Sequence, residues 1–394
     1  MRISNQTIYQ NISSQLSNMT AELNHVQEQM STGKQINKPS DDPIGATQAM
    51  RLKKVLSQID QYGKNIQQGS SWLDVTNTSL NTISQLISQA SDIASQMSTE
   101  TGSASQRQAA AQSIQNILDQ LVQIGNTPLN GRYIFSGYQD HAPAFTDNLT
   151  IHQALAAPAN NPAYTGTATS SGAYTGLTGK QYVAEITTGG AVGVAQYRVS
   201  EDGGATWGPA DAFTTSTSPT PVYNSTDLGV QIAFTNSGTL TAGDRFSIDV
   251  SRYQGDSGKM KVVTGNSSQV EVNLTGNEVF GETGNDLFDV LTGLENALET
   301  NDSGSIQASM SSLTQFQSNV AALQSEVGSR QDQIEVSQNI LSNLDQQYTN
   351  QLSDVENADT TTLATLLQAK LTQYEAALYS ANQILSTSFV DILK

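Results

Sequence analysis

Apolar residues recur at spacings of three and four near both ends of this chain. The spacing puts one narrow apolar stripe on each of two helices, as in the seam of a coiled coil. Another helix has to cover such a stripe, so the pattern predicts that the two ends meet each other or meet copies of themselves. The stripes comprise Ile8, Ile12, Leu16, Met19, Leu23, Val26 and Met30 at the start, and Leu363, Leu367, Leu371, Tyr374, Leu378, Ala381 and Leu385 at the end.

Two much longer helices are predicted next to these ends. Ser40-Asp41-Asp42-Pro43 is typical of a helix cap followed by proline in the first turn. The heptad-like register that follows lasts until Thr101-Gly102, some 55 residues or about 80 Å. A helix of similar length follows Ile306, so the two can lie antiparallel. Shorter helices are predicted at about 104–124 and from about Asp286.

The middle of the chain carries a different pattern. Short runs such as Val230 to Phe234 alternate apolar with polar or small residues, and Gly-Asp turns separate them. Such alternation is typical of half-buried strands, and Asn130-Gly131 is a strong hairpin signal. We interpret residues 141–253 as an inserted β domain, and residues 254–280 as strands that return to the helices.

These elements predict an α+β fold in which both chain ends form a long antiparallel helical-bundle rod with an inserted mainly-β domain. Residues 1–40 with 356–394 would be the terminal coiled-coil helices, an inner assembly domain. Residues 41–140 with 254–355 would form a long-helix rod domain with a short β-hairpin. Residues 141–253 would face outward.

The chain is acidic, with 18 Lys and Arg residues against 36 Asp and Glu residues. This balance argues against nucleic acid as a partner, because phosphates require Lys and Arg. Residues 1–64 hold seven basic and five acidic residues, whereas residues 284–394 hold three and fourteen. The start could therefore lie beside the end with favourable electrostatics, although solvated helix faces explain the counts equally well. No apolar run approaches the roughly 20 residues that span a membrane, and the start lacks the features of a secretory signal peptide.

Few residues suit catalysis or cofactor binding. The chain has no cysteine, which excludes disulfides, thiol catalysis and Cys-based metal sites. Its three histidines form no zinc motif, and no phosphate loop or dinucleotide fingerprint occurs. Asp41-Asp42 beside Pro43 fits helix capping better than a cation site. We therefore expect no enzyme activity, no cofactor and no metal.

One local motif in the middle stands out. Ser200-Glu201-Asp202-Gly203-Gly204-Ala205-Thr206-Trp207 resembles the Asp-box of sialidases and other β-propellers. In that motif Asp and Gly shape a hairpin turn and Trp packs beneath it. Propeller enzymes carry several copies at regular spacing, whereas this chain has one. A well-formed hairpin is the expected role, and glycan binding is the alternative.

The loop after the first helix resembles the signature found at that place in the flagellin superfamily. It runs from Met30 to Ala46 and contains Gly33, Asn37 and the segment Pro39-Ser40-Asp41-Asp42-Pro43. This version is similar to the hook-associated junction proteins of the FlgL family, whereas flagellins usually have Ala-rich residues where Pro39 and Pro43 stand.

Other segments resemble the same family. They include Met1-Arg2-Ile3-Ser4, residues 130–145 and the return segment 253–281. The tail departs from the family pattern, with Phe389 and Ile392 where Leu and an aromatic residue are commoner. The resemblance covers roughly two thirds of the chain and leaves residues 150–250 uncovered.

The resemblance implies a structural component of the bacterial flagellum that joins the hook side to the filament. It implies that copies of the chain assemble in a ring between the hook-associated protein FlgK and flagellin, through their terminal helices. It also implies a flagellar export chaperone and the type III export apparatus as partners, and an extracellular location without a cleaved signal peptide. Flagellin itself, the filament subunit, is the alternative within the superfamily. A glycan-binding, adhesive or enzymatic module carried by the insert is the alternative from another class.

The end stripes predict how the unassembled chain behaves. A lone helix pair buries one seam and leaves the rest solvated, so we hypothesise that residues 1–35 and 359–394 order only on assembly, when neighbours cover their stripes. Limited proteolysis should trim both ends of the monomer rapidly and spare the assembled protein. Ends that resist protease in the monomer contradict the hypothesis.

Overall fold

The computed structural model describes residues 2–98, 103–156 and 164–392, without the side chains of residues 2–6, 8 and 384–392. The chain divides into two compact units, Met1–Lys64 with Ser337–Lys394, and Asn65–Val336. Both boundaries fall within long helices. The division into three domains stays a prediction.

Helices occupy both ends of the chain and strands occupy its middle, which confirms the predicted α+β fold. The predicted end of the second helix at Thr101-Gly102 lies outside the described residues. The helices are α1 (Arg2–Thr32), α2 (Pro43–Met97), α3 (Ala104–Gly125), α4 (Gly276–Phe280), α5 (Leu287–Thr300), α6 (Ser303–Glu356) and α7 (Thr360–Ile392).

Short polar side chains cap α2, as the sequence predicted, and also α7. The Asp42 carboxylate accepts a hydrogen bond from the Ile44 N–H at 3.0 Å, and Pro43 is the first residue of α2. The Asp359 carboxylate accepts from the Thr361 N–H at 2.8 Å before α7. These bonds satisfy backbone N–H groups that have no partner within the helix.

In the Asn65–Val336 unit, α2 and α6 run antiparallel. Three glutamines of α6 donate hydrogen bonds to residues of α2, and the partner's number falls along α2 as the glutamine's number rises along α6. The pairs are Gln317 with Ser84 at 2.7 Å, Gln324 with Asn81 at 2.9 Å, and Gln331 with Asp74 at 2.7 Å. Helices α3 and α5 pack against each other in the same unit, and the apolar residues that predicted α5 are buried.

All strand pairs are antiparallel across the described residues. The strands are β1 (Pro128–Leu129), β2 (Arg132–Tyr133), β3 (Phe145–Ile151), β4 (Leu155–Ala156), β5 (Ala168–Gly172), β6 (Lys180–Thr188), β7 (Gln196–Ser200), β8 (Phe213–Thr214), β9 (Thr220–Pro221), β10 (Val230–Phe234), β11 (Arg245–Tyr253), β12 (Lys261–Val263) and β13 (Gln269–Glu271). Two hairpins, β1–β2 and β12–β13, flank two larger sheets, ordered β5-β10-β9 and β3-β11-β6-β7-β8 with β4 also on β11.

The two larger sheets share one hydrophobic core, to which β10 and β11, both predicted from their alternating pattern, contribute buried residues. Phe234 of β10 lies edge-on to Phe246 of β11, with ring centroids 5.2 Å apart, and 6.0 Å from the ring of Tyr197 on β7. Rings from one sheet thus contact rings from the other. The insert therefore has a core of its own.

One predicted turn is present in the structure, and one predicted strand is replaced by a helix. Asn130 and Gly131 have φ of 53° and 78°, the left-handed pair of a two-residue hairpin, so the predicted β1–β2 turn is confirmed. The prediction of strands throughout 254–280 is wrong at its end, where α4 forms. Thr275 and Glu278 make a capping box there, since the Glu278 carboxylate accepts from the Thr275 N–H at 2.9 Å.

Aromatic rings join α4 to its surroundings. Phe280 lies 4.7 Å from Phe145, 5.9 Å from Phe135 and 5.2 Å from Phe288, measured between ring centroids. Phe280 is fully buried. One ring thus connects β3, α4, α5 and the segment after β2.

We predict that Phe280→Ala lowers the free energy of unfolding by about 3–5 kcal/mol, because it empties the centre of this cluster. Urea denaturation followed by tryptophan fluorescence measures the change, since both tryptophans, Trp72 and Trp207, lie in the same unit. Leu177→Ala is the control: Leu177 is exposed, so its loss should change stability by less than about 0.5 kcal/mol. Equal effects of the two variants contradict the central role of Phe280.

Candidate assembly interface

Helices α1 and α7 pack against each other as an antiparallel pair. The pairing begins where Lys34 forms an antiparallel bridge with Asn357, and the Ala358 N–H donates to the Gly33 carbonyl at 3.0 Å. Farther along, the Lys370 ammonium lies 2.6 Å from the Glu22 carboxylate. The two ends of the chain therefore meet.

The pairing covers the two apolar stripes only in part. Val26, Leu363 and Ala381 are buried, whereas Met30 and Leu378 remain 43% and 42% exposed. The side chains of Ile8 and Leu385 lie outside the described residues. The other stripe residues are half-buried: Ile12, Leu16, Met19, Leu23, Leu367, Leu371 and Tyr374.

Two exposed apolar residues of α7 escaped the sequence analysis. Tyr379 is 75% exposed and Leu366 is 40% exposed. Each directly neighbours a stripe residue, Leu378 and Leu367 respectively. The sequence did indicate them, because the apolar residues of α7 occupy more of the helix surface than one narrow stripe.

The loop between α1 and α2 is built from the predicted motif residues. Gly33 has a φ of 68° and its N–H donates to the Gln29 carbonyl at 2.9 Å, which ends α1 with the left-handed residue that favours glycine. The Asp41 carboxylate accepts from the N–H groups of Asn37 and Lys38 at 3.0 and 2.8 Å. These bonds hold the pKa of Asp41 below its ordinary value, with the Lys38 N–H as the largest cause.

Pro39 and Ser40 are exposed at the tip of this loop. The Asn37 side-chain amide donates to the Lys34 carbonyl at 3.2 Å. Asp41 and Asp42 thus serve the backbone of the loop and the start of α2, as capping predicted.

A buried carboxylate that the sequence analysis missed ties this loop to α2 and α6. Glu356, the last residue of α6, is 7% exposed and lies 2.6 Å from the Lys34 ammonium and 2.9 Å from the Lys53 ammonium. Its carbonyl also accepts from the Gln35 N–H at 2.7 Å. Lys34 and Glu356 stand 322 positions apart, so no local pattern could have indicated the pair.

The pKa of Glu356 reflects two opposing effects. Burial raises it, but the hydrogen bonds and charges of Lys34 and Lys53 outweigh burial and hold it below its ordinary value of 4.5. A carboxyl group with a lowered pKa stabilises the fold above its unfolded pKa. That stabilisation is lost as the pH falls through the folded pKa.

The Asp-box-like segment forms a closed turn in the insert. Asp202 accepts from the Ser200 hydroxyl at 2.6 Å and from the Thr206 N–H at 2.8 Å, and these donors lower its pKa. The guanidinium carbons of Arg198 and Arg245 lie 4.5 and 5.3 Å from the centroid of the Trp207 ring. The Asp202 carboxylate and the Trp207 ring are thus both contacted by neighbouring residues of the same chain.

The described residues contain no group of three or more His, Asp or Glu side chains placed to hold a metal ion. None of the described helices is both long and apolar enough to cross a membrane.

We predict that Glu356→Gln destabilises the Met1–Lys64 with Ser337–Lys394 unit by about 1–2 kcal/mol at pH 7, because two charge-assisted hydrogen bonds weaken. The deficit relative to wild type should shrink as the pH falls below 4.5, where wild-type Glu356 itself becomes protonated. Hydrogen exchange of α7 amides across this pH range measures the change. Glu375→Gln, which removes an exposed carboxylate from α7, should change exchange little; equal effects of both variants contradict the prediction.

Parts of this chain are similar in sequence to known proteins. A family model described as the bacterial flagellin N-terminal helical region matches residues 3–140. Flagellar hook-associated protein 3 of Salmonella typhimurium is 37% identical over 146 residues, which cover 37% of this chain and 46% of that protein. Flagellin A of Vibrio anguillarum is 30% identical over 123 residues, which cover 31% of this chain and 32% of that protein. The chain thus spans less than half the length of these relatives.

A solved structure from Vibrio parahaemolyticus, assigned to the flagellar hook-associated proteins, superposes with a TM-score of 0.51 at 14% sequence identity. The superposition covers 80% of this chain and 100% of that one. At this identity the likeness shows a shared fold alone. The family match includes the loop motif, so it confirms the resemblance found there: residues 3–140 of this chain are similar to the bacterial flagellin N-terminal helical region.

Proposed function

We propose that this protein is a structural component of the bacterial flagellum that joins the hook-associated proteins to the flagellin filament. The observation that carries the proposal is the incomplete cover of the α1 and α7 stripes within one chain. Apolar residues left half-exposed along paired helices gain free energy, of the order of 25 cal/mol per Å² buried, when further helices cover them. Copies of the same chain supply such helices, so assembly through the chain ends follows.

The junction role is favoured over the filament role by two observations. The identity to a hook-associated protein 3 is higher, and extends over more residues, than the identity to flagellin A. The loop also has Pro39 and Pro43, and its backbone is fixed by Asp41 and Asp42. In the assembled flagellum the proposed neighbours are FlgK on one side and flagellin on the other. Delivery would use an export chaperone and the type III export apparatus.

The proposed junction role assigns no function to the insert, residues 141–253. The relatives are structural flagellar proteins, so we infer that the chain is not an enzyme. The Trp207 ring has guanidinium groups against it, which leaves less of its surface for stacking on a sugar. We therefore interpret the Asp-box-like segment as a structural turn.

Immunogold labelling of flagellated cells tests the proposal. Antibody against the insert should label one spot at the base of the filament, because a junction protein forms a single ring there. Labelling along the filament would instead assign the filament role, and unlabelled flagella would contradict both. Leu16→Asp should remove the spot, since a charge in the α1 stripe opposes burial against neighbours. The exposed Ser17→Asp is the matched control and should keep it.

A further inference from the structure

The first turns of α2 present a row of residues that the described part of the chain leaves exposed. Buried Ala46, Ala49 and Leu52 define the inner side of this stretch. On the opposite side, spacings of three and four align one outward row, whose members are all exposed. The row consists of Ile44, Thr47, Arg51, Lys54 and Gln58.

This outer face of α2 combines apolar and cationic groups. Ile44 is 81% exposed, and Met50, one turn before Lys54, is 59% exposed. Most other cations of this unit are paired: Lys53 with Glu356 at 2.9 Å and Lys64 with Asp60 at 2.7 Å. Arg51 and Lys54, by contrast, have no hydrogen bond or ion pair with any residue that the structure describes. Two cations and two exposed apolar side chains thus form a surface that has no partner among the residues described by the structure.

The outer face of α7 has the complementary composition. Glu375 is exposed and has no ion pair among the described residues, and Tyr379 stands one turn further along the same side. Leu378 lies next to Tyr379 and is also exposed. An arginine facing such a surface can pair with the carboxylate and stack on the phenol ring.

We propose that the outer face of α2 docks on the outer face of α7 in a second copy of this chain, with Arg51 and Lys54 against Glu375 and Tyr379. Each copy carries both faces, so the contact is head-to-tail and repeats from copy to copy. This deepens the proposed function, because it adds an electrostatic side contact to the apolar contacts of the end stripes.

A second copy is the occupant that the charges favour. The chain is acidic overall, yet residues 43–64 hold four basic residues and one acidic residue. Opposite charges steer association and fix the register between partners. Since the acidic face and the basic face occur on the same molecule, no further partner is needed to explain either.

Sedimentation of the purified full chain over a concentration series tests the contact. Arg51→Glu and Glu375→Arg should each weaken self-association by roughly tenfold, because each opposes two like charges. The double variant, with the charges exchanged, should return to within about threefold of wild type. Raising the salt concentration should weaken the wild-type contact.

Lys64→Glu is the control, because Lys64 lies on the same helix, outside this face, and pairs with Asp60; it should associate like wild type. Circular dichroism establishes that each variant folds.

The absence of cysteine allows a direct assay: mixed Arg51→Cys and Glu375→Cys proteins should cross-link to each other. A wild-type chain that stays monomeric throughout, or a double variant without rescue, overturns the contact. Labelling at the filament base would still support the junction role in that case, so the two proposals fail separately.

Discussion

The heptad repeat that α2 and α6 share is the constraint on which the Asn65–Val336 unit depends. Apolar residues seven positions apart are buried on both helices, with Ile66, Leu73, Leu80 and Ile87 on α2 and Leu313, Val320, Val327 and Ile334 on α6. A strict seven-residue repeat keeps one seam on one side of a helix. The seam joins segments more than 200 residues apart in the chain. The residues between these segments therefore have to leave the helix pair, and return to it, at fixed points.

This constraint explains why a large insert is tolerated. The entropy cost of closing a loop grows only slowly with its length, and the insert has its own core of aromatic and branched residues from two sheets. The points of departure and return are held by the aromatic rings around Phe280, which belong to β3, α4 and α5. Residues 141–253 can therefore differ from those of relatives without disturbing the seam.

Polar contacts fix the register between paired helices, which apolar contacts alone leave undetermined. Charged residues are 14% of the chain, and uncharged glutamine, asparagine and serine side chains form hydrogen bonds between α6 and α2. In the Met1–Lys64 with Ser337–Lys394 unit, Glu356 fixes the loop before α2 by contacting Lys34 and Lys53. A buried carboxylate between two cations has few alternative positions, whereas an apolar stripe can slide by a turn. The end helices are thus aligned at one end and left partly uncovered along their length.

The sequence by itself determined the helices other than α4, the cap of α2, the β1–β2 turn and the two strands with clean alternation, because periodicity, capping residues and turn residues are local properties. It also determined the resemblance of the α1–α2 loop, whose proline and aspartate residues act on their own backbone. The tertiary structure decided the position of Glu356, the sharing of one core by two sheets, and α4 where strands were expected. It also decided which stripe residues stay exposed, and which cations of α2 have no partner. These properties depend on residues hundreds of positions apart, and a pattern read along the chain carries no information about which distant side chain will cover a given face.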